Sequence, residues 1–324
     1  NDAAKFNSLK ASSSDSTVAT ASASSVAVPG SYAIDVSKLA QSQKLVAAGQ
    51  ASTTTAIGLG GTTTLTFDFG TISGTLDPYI SATGLGGTYS AATFTSNGSG
   101  AKTVTIDATN NSLSGIRDAI NKAKIGVTAS IINDGGTSPY RLVLSSDTAG
   151  KNNSLKIGVS GDATLSTLLS QDPAGTQNLQ QTVVAQNTEL TVNGVFVSKS
   201  STTLTDVVQG VTLSALKIGT STISVAADTS GVTTAVNEFV KGYNELAKTL
   251  KDSSSYDPAT KQAGILQGEA SVRTIQTQMR ALLGRALTGG TYSNLSQIGL
   301  TFQKDGSLSL DSSKLQSALA ANAG

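Results

Sequence analysis

Residues 232–250 read VTTAVNEFVKGYNELAKTL, and their apolar positions Val232, Val236, Phe239, Tyr243, Leu246 and Leu250 alternate steps of four and three. A second stretch, 272–286, reads VRTIQTQMRALLGRA and places Val272, Ile275, Met279, Leu282 and Ala286 at steps of three and four. Steps averaging about 3.5 residues lay a seam along one side of an α-helix, so each helix calls for a helical partner. The intervening Asp252–Gly268 segment carries Ser, Pro and Gly and is long enough for the second helix to fold back on the first. The seam is then most simply the packed core between two helices of one subunit, with self-association through it as the alternative. Tyr243 needs its hydroxyl at the edge of that packing or hydrogen-bonded.

Residues 300–310, LTFQKDGSLSL, follow. Alternating apolar positions on either side of Asp305-Gly306 form a strong hairpin signal. Asp311 or Ser312 is placed to cap a helix beginning near Lys314.

The strings FVKGYNEL (239–246), SSYDPATKQAGILQGEASVRTIQTQMRALL (254–283) and LSQIGLTFQKDGSLSLDSSKL (295–315) are also recognisable. Together they resemble the C-terminal half of the bacterial flagellar filament cap proteins, the hook-associated protein 2 family, and the resemblance runs from Thr229 to Leu319. PGSYAIDVSKLAQSQKLVA (29–47) sits where, in that family, a strand leads up into the outer domains.

Upstream of the helices the chain reads as β structure. Tyr32, Ile34 and Val36 alternate with polar or small residues, as do Leu65, Phe67 and Phe69, then Val104 and Ile106. LSGIRDAINKA (113–123) gathers Leu113, Ile116, Ala119, Ile120 and Ala123 on one helical face. Strands follow at Val127–Ile131 and Arg141–Ser145, separated by the turn residues Asp134-Gly135-Gly136. This strand–helix–strand order, with Asn121 inside IRDAIN, resembles a short repeat of flagellin and its relatives. Glu189–Val192 and Val195–Val197 flank Asn193-Gly194, another hairpin turn, and Leu213, Leu216, Ile223 and Val225 indicate further strands. At an offset of 91, Val104, Ile106, Leu113, Ser114 and Ile116 align with Val195, Val197, Leu204, Thr205 and Val207, which suggests a duplicated module. Residues 1–28 are rich in Ser, Ala and Thr and read as a mobile linker or frayed end.

A chain of 324 residues is too long for one small core. The expected fold class is α+β, with two nested β-rich domains and a helical, coiled-coil-like stalk bearing a small β-hairpin. Residues 1–28 and 229–324 are assigned to the stalk, 29–57 and 183–228 to an inner β domain, and 58–182 to an inserted outer β domain. The chain starts at Asn1 and stops within a helical pattern, so it is expected to be a fragment lacking both terminal helical segments.

Composition narrows function. Charged residues make up 13% and the net charge is +1, without a Lys/Arg run able to track a phosphate backbone, so nucleic acid is not an expected partner. No apolar run approaches the roughly 18–20 residues that cross a bilayer, so no membrane partner is expected. The chain holds no Cys and no His, which rules out disulfide scaffolds and metal sites built on those ligands. It also removes the usual general acid–base residue. Asp252 and Asp257 read as a solvated loop rather than a glycosidase pair. Gly150-Lys151 fails both ends of the phosphate-loop pattern, and Gly58–Gly61 and Gly84–Gly87 precede Thr-rich strands, so they read as turns. Asp305-Gly306 with Asp311 lacks calcium-loop spacing. No catalytic residue, cofactor-binding residue or metal ligand is assigned; no cofactor is expected and the chain is not expected to be an enzyme.

The resemblance implies a structural assembly factor at the distal end of the bacterial flagellar filament, extracellular and exported by the flagellar secretion apparatus. It implies a homo-oligomeric ring that promotes flagellin folding and insertion and prevents flagellin loss. Its implied partners are copies of itself, flagellin and the hook–filament junction proteins. The alternative is a secreted adhesin or glycan-binding β module that meets host surface glycans. The heptads at 232–287 distinguish the two, because an adhesin stalk would continue β repeats. Flagellin itself is a weaker reading, since the helical strings by which it is recognised are missing.

Overall fold

The computed structural model describes residues 8–80, 82, 86–257, 261–285 and 291–321. Four strands lead in: β1 (Leu9–Ser13), β2 (Ala19–Ala23), β3 (Gly30–Lys38) and β4 (Lys44–Val46). The long β5 (Thr63–Asp77), β6 (Thr88–Ser96) and β7 (Lys102–Ile106) precede helix α1 (Leu113–Ala123). Then come β8 (Val127–Asn133), β9 (Tyr140–Ser146), β10 (Ser154–Ser160), α2 (Ala163–Leu169) and β11 (Gln180–Val183). A run of strands follows: β12 (Thr188–Val192), β13 (Val195–Lys199), β14 (Thr203–Val208), β15 (Val211–Ala215) and β16 (Gly219–Ala227). The C-terminal part holds α3 (Ser230–Ser254), the short strands β17 (Tyr256–Asp257) and β18 (Gln262–Ala263), and α4 (Ala270–Gly284). It closes with β19 (Leu300–Phe302), β20 (Leu308–Leu310) and α5 (Ser312–Ala321). The fold is α+β, as expected.

The chain forms two compact units. One comprises Ser12–Ser22 and Ser31–Ser224; the other comprises Asn1–Ala11, Ala23–Gly30 and Val225–Gly324.

The β-rich unit contains two groups of sheets. In the first, a five-stranded sheet of order β1-β16-β3-β12-β13 accompanies a three-stranded sheet of order β14-β15-β2. Alternation sets their buried faces: Ile34, Val36, Leu190 and Val192 on one, Leu204, Val211 and Leu213 on the other. The hairpin at Asn193-Gly194 forms as its sequence requires, with both turn residues at positive φ (49° and 82°). The second group pairs the order β10-β5-β6, with β7 also on β5, and the order β11-β4-β9-β8. Its core includes Leu45, Leu65, Phe67, Ile106, Leu113, Ile116, Ile120, Leu144, Leu155 and Leu165. α1 begins at the N-cap Ser112, whose side chain accepts from the Gly115 N–H, and presents Leu113, Ile116 and Ile120 to that core.

Three readings of the sequence change. The first 28 residues are not merely a linker, since Leu9–Ser13 and Ala19–Ala23 are strands that join β16 and β15; Ala and Ser carry no strong β signal, and sheet pairing supplies the preference. Residues 44–46, assigned with 29–57 to the inner β domain, form β4, which pairs with β9, inside the 58–182 stretch, and with β11. The offset of 91 is not a structural repeat: Leu113–Ile116 is helical, whereas Leu204–Val207 is strand, and Val104 is buried while Val195 is 67% exposed.

Candidate interaction surface

Helix α3 is built on the heptad pattern, but only one side of its seam is covered. The column Val236, Tyr243 and Leu250 is half-buried or buried, while Phe239 and Leu246, one column over, are 46% and 47% exposed. α4 repeats the arrangement. Val272 is buried and Met279 half-buried, yet Ile275 and Leu282 are 45% and 69% exposed. The expectation of a seam fully packed within one subunit is therefore corrected: two columns are packed and two are open. The expected seam residue Ala286 lies outside the described residues.

What covers the packed column of α3 is mainly the β19–β20 hairpin. The Tyr243 hydroxyl donates to the Gly306 carbonyl at 3.4 Å, and its ring meets Phe302 edge-on at 6.0 Å between centroids. Asn244 binds the hairpin at two points: its Oδ1 accepts from the Leu308 N–H at 2.7 Å and its Nδ2 donates to the Leu308 carbonyl at 2.9 Å. Gly306 sits at φ +89°, the left-handed region that favours glycine, with the Arg280 guanidinium lying against it. A cavity of about 120 Å³ remains among Tyr243, Leu250, Gln276, Met279 and Arg280. Asp311 accepts from the Lys314 N–H and starts α5, whose Leu315 and Ala318 are buried.

On the open side of α3, Gly242, Ala235 and Thr249 are exposed next to Phe239 and Leu246, and the acidic residues Glu238, Glu245 and Asp252 lie beyond them. Lys241 and Lys248 pair with Glu245 and Asp252 one turn on, at 3.9 and 2.5 Å. Such exposed pairs contribute little to stability. Small residues beside an apolar column permit close approach of another helix.

The other acidic and glycine-rich segments make contacts within the fold. Asp252 holds Lys248. In Gly58–Gly61 the Leu59 N–H donates to Asp162 at 2.6 Å, and the same carboxylate caps α2 through Thr164 and Leu165. These N–H donors, Leu59 foremost, hold the Asp162 carboxyl below its ordinary range. Gly84 and Leu85 lie outside the described residues. Gly150 precedes a single 3₁₀ turn at Lys151–Asn153. Among the described residues no three His, Cys, Asp or Glu side chains gather as metal ligands would, and no helix is long and apolar enough to cross a membrane.

Two groups of sheets, followed by helices with open apolar columns, define a modular α+β protein. Its relatives sharpen that class. Family models for the flagellar hook-associated protein 2 N-terminus and C-terminus match residues 1–43 and 185–324, and a flagellin hook IN motif matches 93–148. Flagellar hook-associated protein 2 of Escherichia coli O157:H7 is 38% identical over 228 residues, covering 67% of this chain and 49% of the relative. The B-type flagellar hook-associated protein 2 of Pseudomonas aeruginosa is 34% identical over 345 residues, covering 99% of this chain and 66% of the relative. The crystal structure of the D1-D2-D3 domains of the flagellar cap protein FliD from Escherichia coli superposes with a TM-score of 0.67 at 35% identity, covering 99% of this chain and 82% of that one. The chain belongs to the flagellar hook-associated protein 2 family, the structural flagellar cap proteins. It spans about half the length of the Escherichia coli relative. The family does not favour the adhesin reading, and nothing in the comparisons supports glycan partners.

Proposed function

We propose that this chain caps the distal end of the flagellar filament, outside the cell, where it promotes the folding and insertion of arriving flagellin and prevents its loss. The observation that carries this reading is membership of the cap family by a chain whose helical unit leaves two apolar columns open. The action is steric, without catalysis or cofactor: β-sheet arms shelter incoming flagellin, while helical segments break and remake contacts with copies of the same chain in a ring, with flagellin and with hook–filament junction proteins. The same reading keeps a helical stalk at 229–324 and an inserted outer domain at 58–182, and it moves β1 and β2 out of the 1–28 stretch first assigned to the stalk and into the inner β domain of 29–57 and 183–228, with whose strands they pair. The pairing of β4 with β9 and β11 supports moving the inner–outer boundary from 57 to the neighbourhood of residue 43.

The test is genetic. Cells lacking their own cap gene are given the full gene that encodes this chain, and flagellin in the medium is measured. Restored filaments with retained flagellin support the proposal. Unchanged leakage from cells that make and export the protein overturns it.

A further inference from the structure

The sequence contains two Asn-Gly pairs, Asn97-Gly98 and Asn193-Gly194. In such a pair the missing side chain of the glycine leaves its backbone nitrogen unhindered toward the asparagine carboxamide. The two sites differ in how tightly they are held and in what the carboxamide does.

Asn193 occupies a two-residue hairpin turn. Its Oδ1 accepts from the Ala33 N–H at 2.8 Å and its own N–H donates to the Ala33 carbonyl at 2.9 Å. The backbone is fixed on both sides by β12 and β13, so Gly194 cannot turn its nitrogen toward the carboxamide without opening the hairpin. Asn97 instead begins the five-residue connection from β6 to β7, fully exposed, with Gly98 and Gly100 both at φ +81° and open space around each. The Asn97 N–H donates to the Phe69 carbonyl on β5 at 2.8 Å and the Gly98 N–H reaches Ser96 Oγ at 3.4 Å, but residues 98–101 belong to no strand, so the glycine side of the pair is not fixed by a ladder as Gly194 is.

The roles of the two carboxamides also differ. Asn193 is seen only to accept, and a carboxylate would accept as well. Asn97 both accepts, from the Ser99 N–H at 2.9 Å, and donates: its Nδ2 reaches the Asn152 carbonyl at 3.0 Å and Asn153 Oδ1 at 3.4 Å. It thereby ties the β6–β7 connection to the 3₁₀ turn before β10, a turn also held by Thr71 through Asn152 Oδ1.

We propose that Asn97 is a site of spontaneous deamidation, and that its conversion releases this tie. The Gly98 nitrogen attacks Asn97 Cγ and loses its proton, ammonia leaves from Cγ, and a cyclic succinimide forms. Water then opens the ring to aspartate or isoaspartate, with no change of oxidation state. The new carboxylate faces the Asn152 carbonyl and Asn153 Oδ1, acceptors all, with no proton to share. A latch held by the amide becomes a repulsive contact.

The test incubates the whole folded chain at mildly alkaline pH and 37 °C, with peptide mapping by mass spectrometry over time. A one-dalton gain at Asn97, with isoaspartate present, is expected well ahead of any at Asn193. Modification of Asn193 first, or an Asn97 that reacts in urea but not in the fold, overturns the site. Calorimetry of Asn97→Asp and Asn193→Asp tests the consequence. Asn97→Asp should lower the midpoint of the β-rich unit by about 2–4 °C, while Asn193→Asp leaves it close to the parent. Equal midpoints for parent and Asn97→Asp would show that the tie holds nothing.

Discussion

Asn244 on α3 and Leu308 on β20, 64 residues apart, are joined as two strands would be: one amide oxygen takes the Leu308 N–H and the amide nitrogen gives to the Leu308 carbonyl. The device recurs twice. Asn121 on α1 accepts from the Ala129 N–H at 2.7 Å and donates to its carbonyl at 2.9 Å. Gln177 does the same to Tyr89, at 2.6 and 2.7 Å. Ala129 lies on β8 and Tyr89 on β6, both at the end of their sheets' strand order, and β20 belongs to a two-stranded hairpin. In each case a carboxamide occupies the place of the next strand, which blunts an edge that would otherwise pair with another chain.

Truncating such an amide leaves an N–H and a carbonyl without partners. Asn244→Ala is expected to destabilise the helical unit by about 1–3 kcal/mol. Asn244→Asp keeps the acceptor but turns the second contact repulsive, and should not rescue it. Urea unfolding monitored by helical circular dichroism measures both; a loss below about 0.5 kcal/mol for Asn244→Ala would mean that water replaces the amide without penalty.

These ties also mark where reading the sequence stops. The hairpins at Asn193-Gly194 and Asp305-Gly306, the α1 face and the Asp311 cap are encoded within a few residues of themselves, and all were legible. Asn244 meets Leu308 across 64 residues and Gln177 meets Tyr89 across 88, with no periodicity to announce either. α2 is only seven residues long and its signal is a lone capping Asp162. The β17–β18 pair lies within a segment that reads as linker. For the candidate surface, the heptads revealed both helices but not which column is open, because columns on one helix differ only through what packs on them.

That difference between columns gives a direct test. Tyr243→Ala removes a ring packed on Phe302 and a bond to Gly306, and is expected to cost about 3–5 kcal/mol. Phe239→Ala and Leu246→Ala, on the open column, should each change the stability of this chain by no more than about 0.5 kcal/mol. In the full gene the same two substitutions should impair flagellin retention, if the open column is a contact in the assembled cap. Equal destabilisation by Tyr243→Ala and Phe239→Ala in the chain would show that the column is not open.

Asp162 gives the fold a local acid sensitivity. Its carboxyl is held below the ordinary aspartate value of 3.8 by the Leu59, Leu165 and Thr164 N–H groups. A group with a depressed folded pKa stabilises the fold above its unfolded value, and that contribution fades as pH falls through the folded one. Asp162→Asn removes the charge but keeps an acceptor. The stability gap between parent and variant should be full near neutrality and should close only below about pH 3.8. A gap that persists unchanged at lower pH would assign the difference to packing rather than to the carboxylate.

The interior of the β-rich unit contains a polar chain with more at stake. Gln43 is fully buried; its Oε1 accepts from the Leu155 N–H at 2.7 Å and its amide nitrogen donates to Gln181. Gln181 Nε2 in turn donates to the Tyr89 hydroxyl at 2.9 Å. The chain thus links β10, β11 and β6, and burial pushes the Tyr89 phenol up from its ordinary range. Replacing one member strands the others in a dry site, so Gln43→Leu and Gln181→Leu should each destabilise by about 1–3 kcal/mol. The double variant removes both partners of the Gln43–Gln181 bond. It should therefore lose less than the sum of the two, with a coupling of about 0.5–3 kcal/mol in a double-mutant cycle. Strict additivity would mean that the two amides act independently, and that the buried chain is three separate contacts.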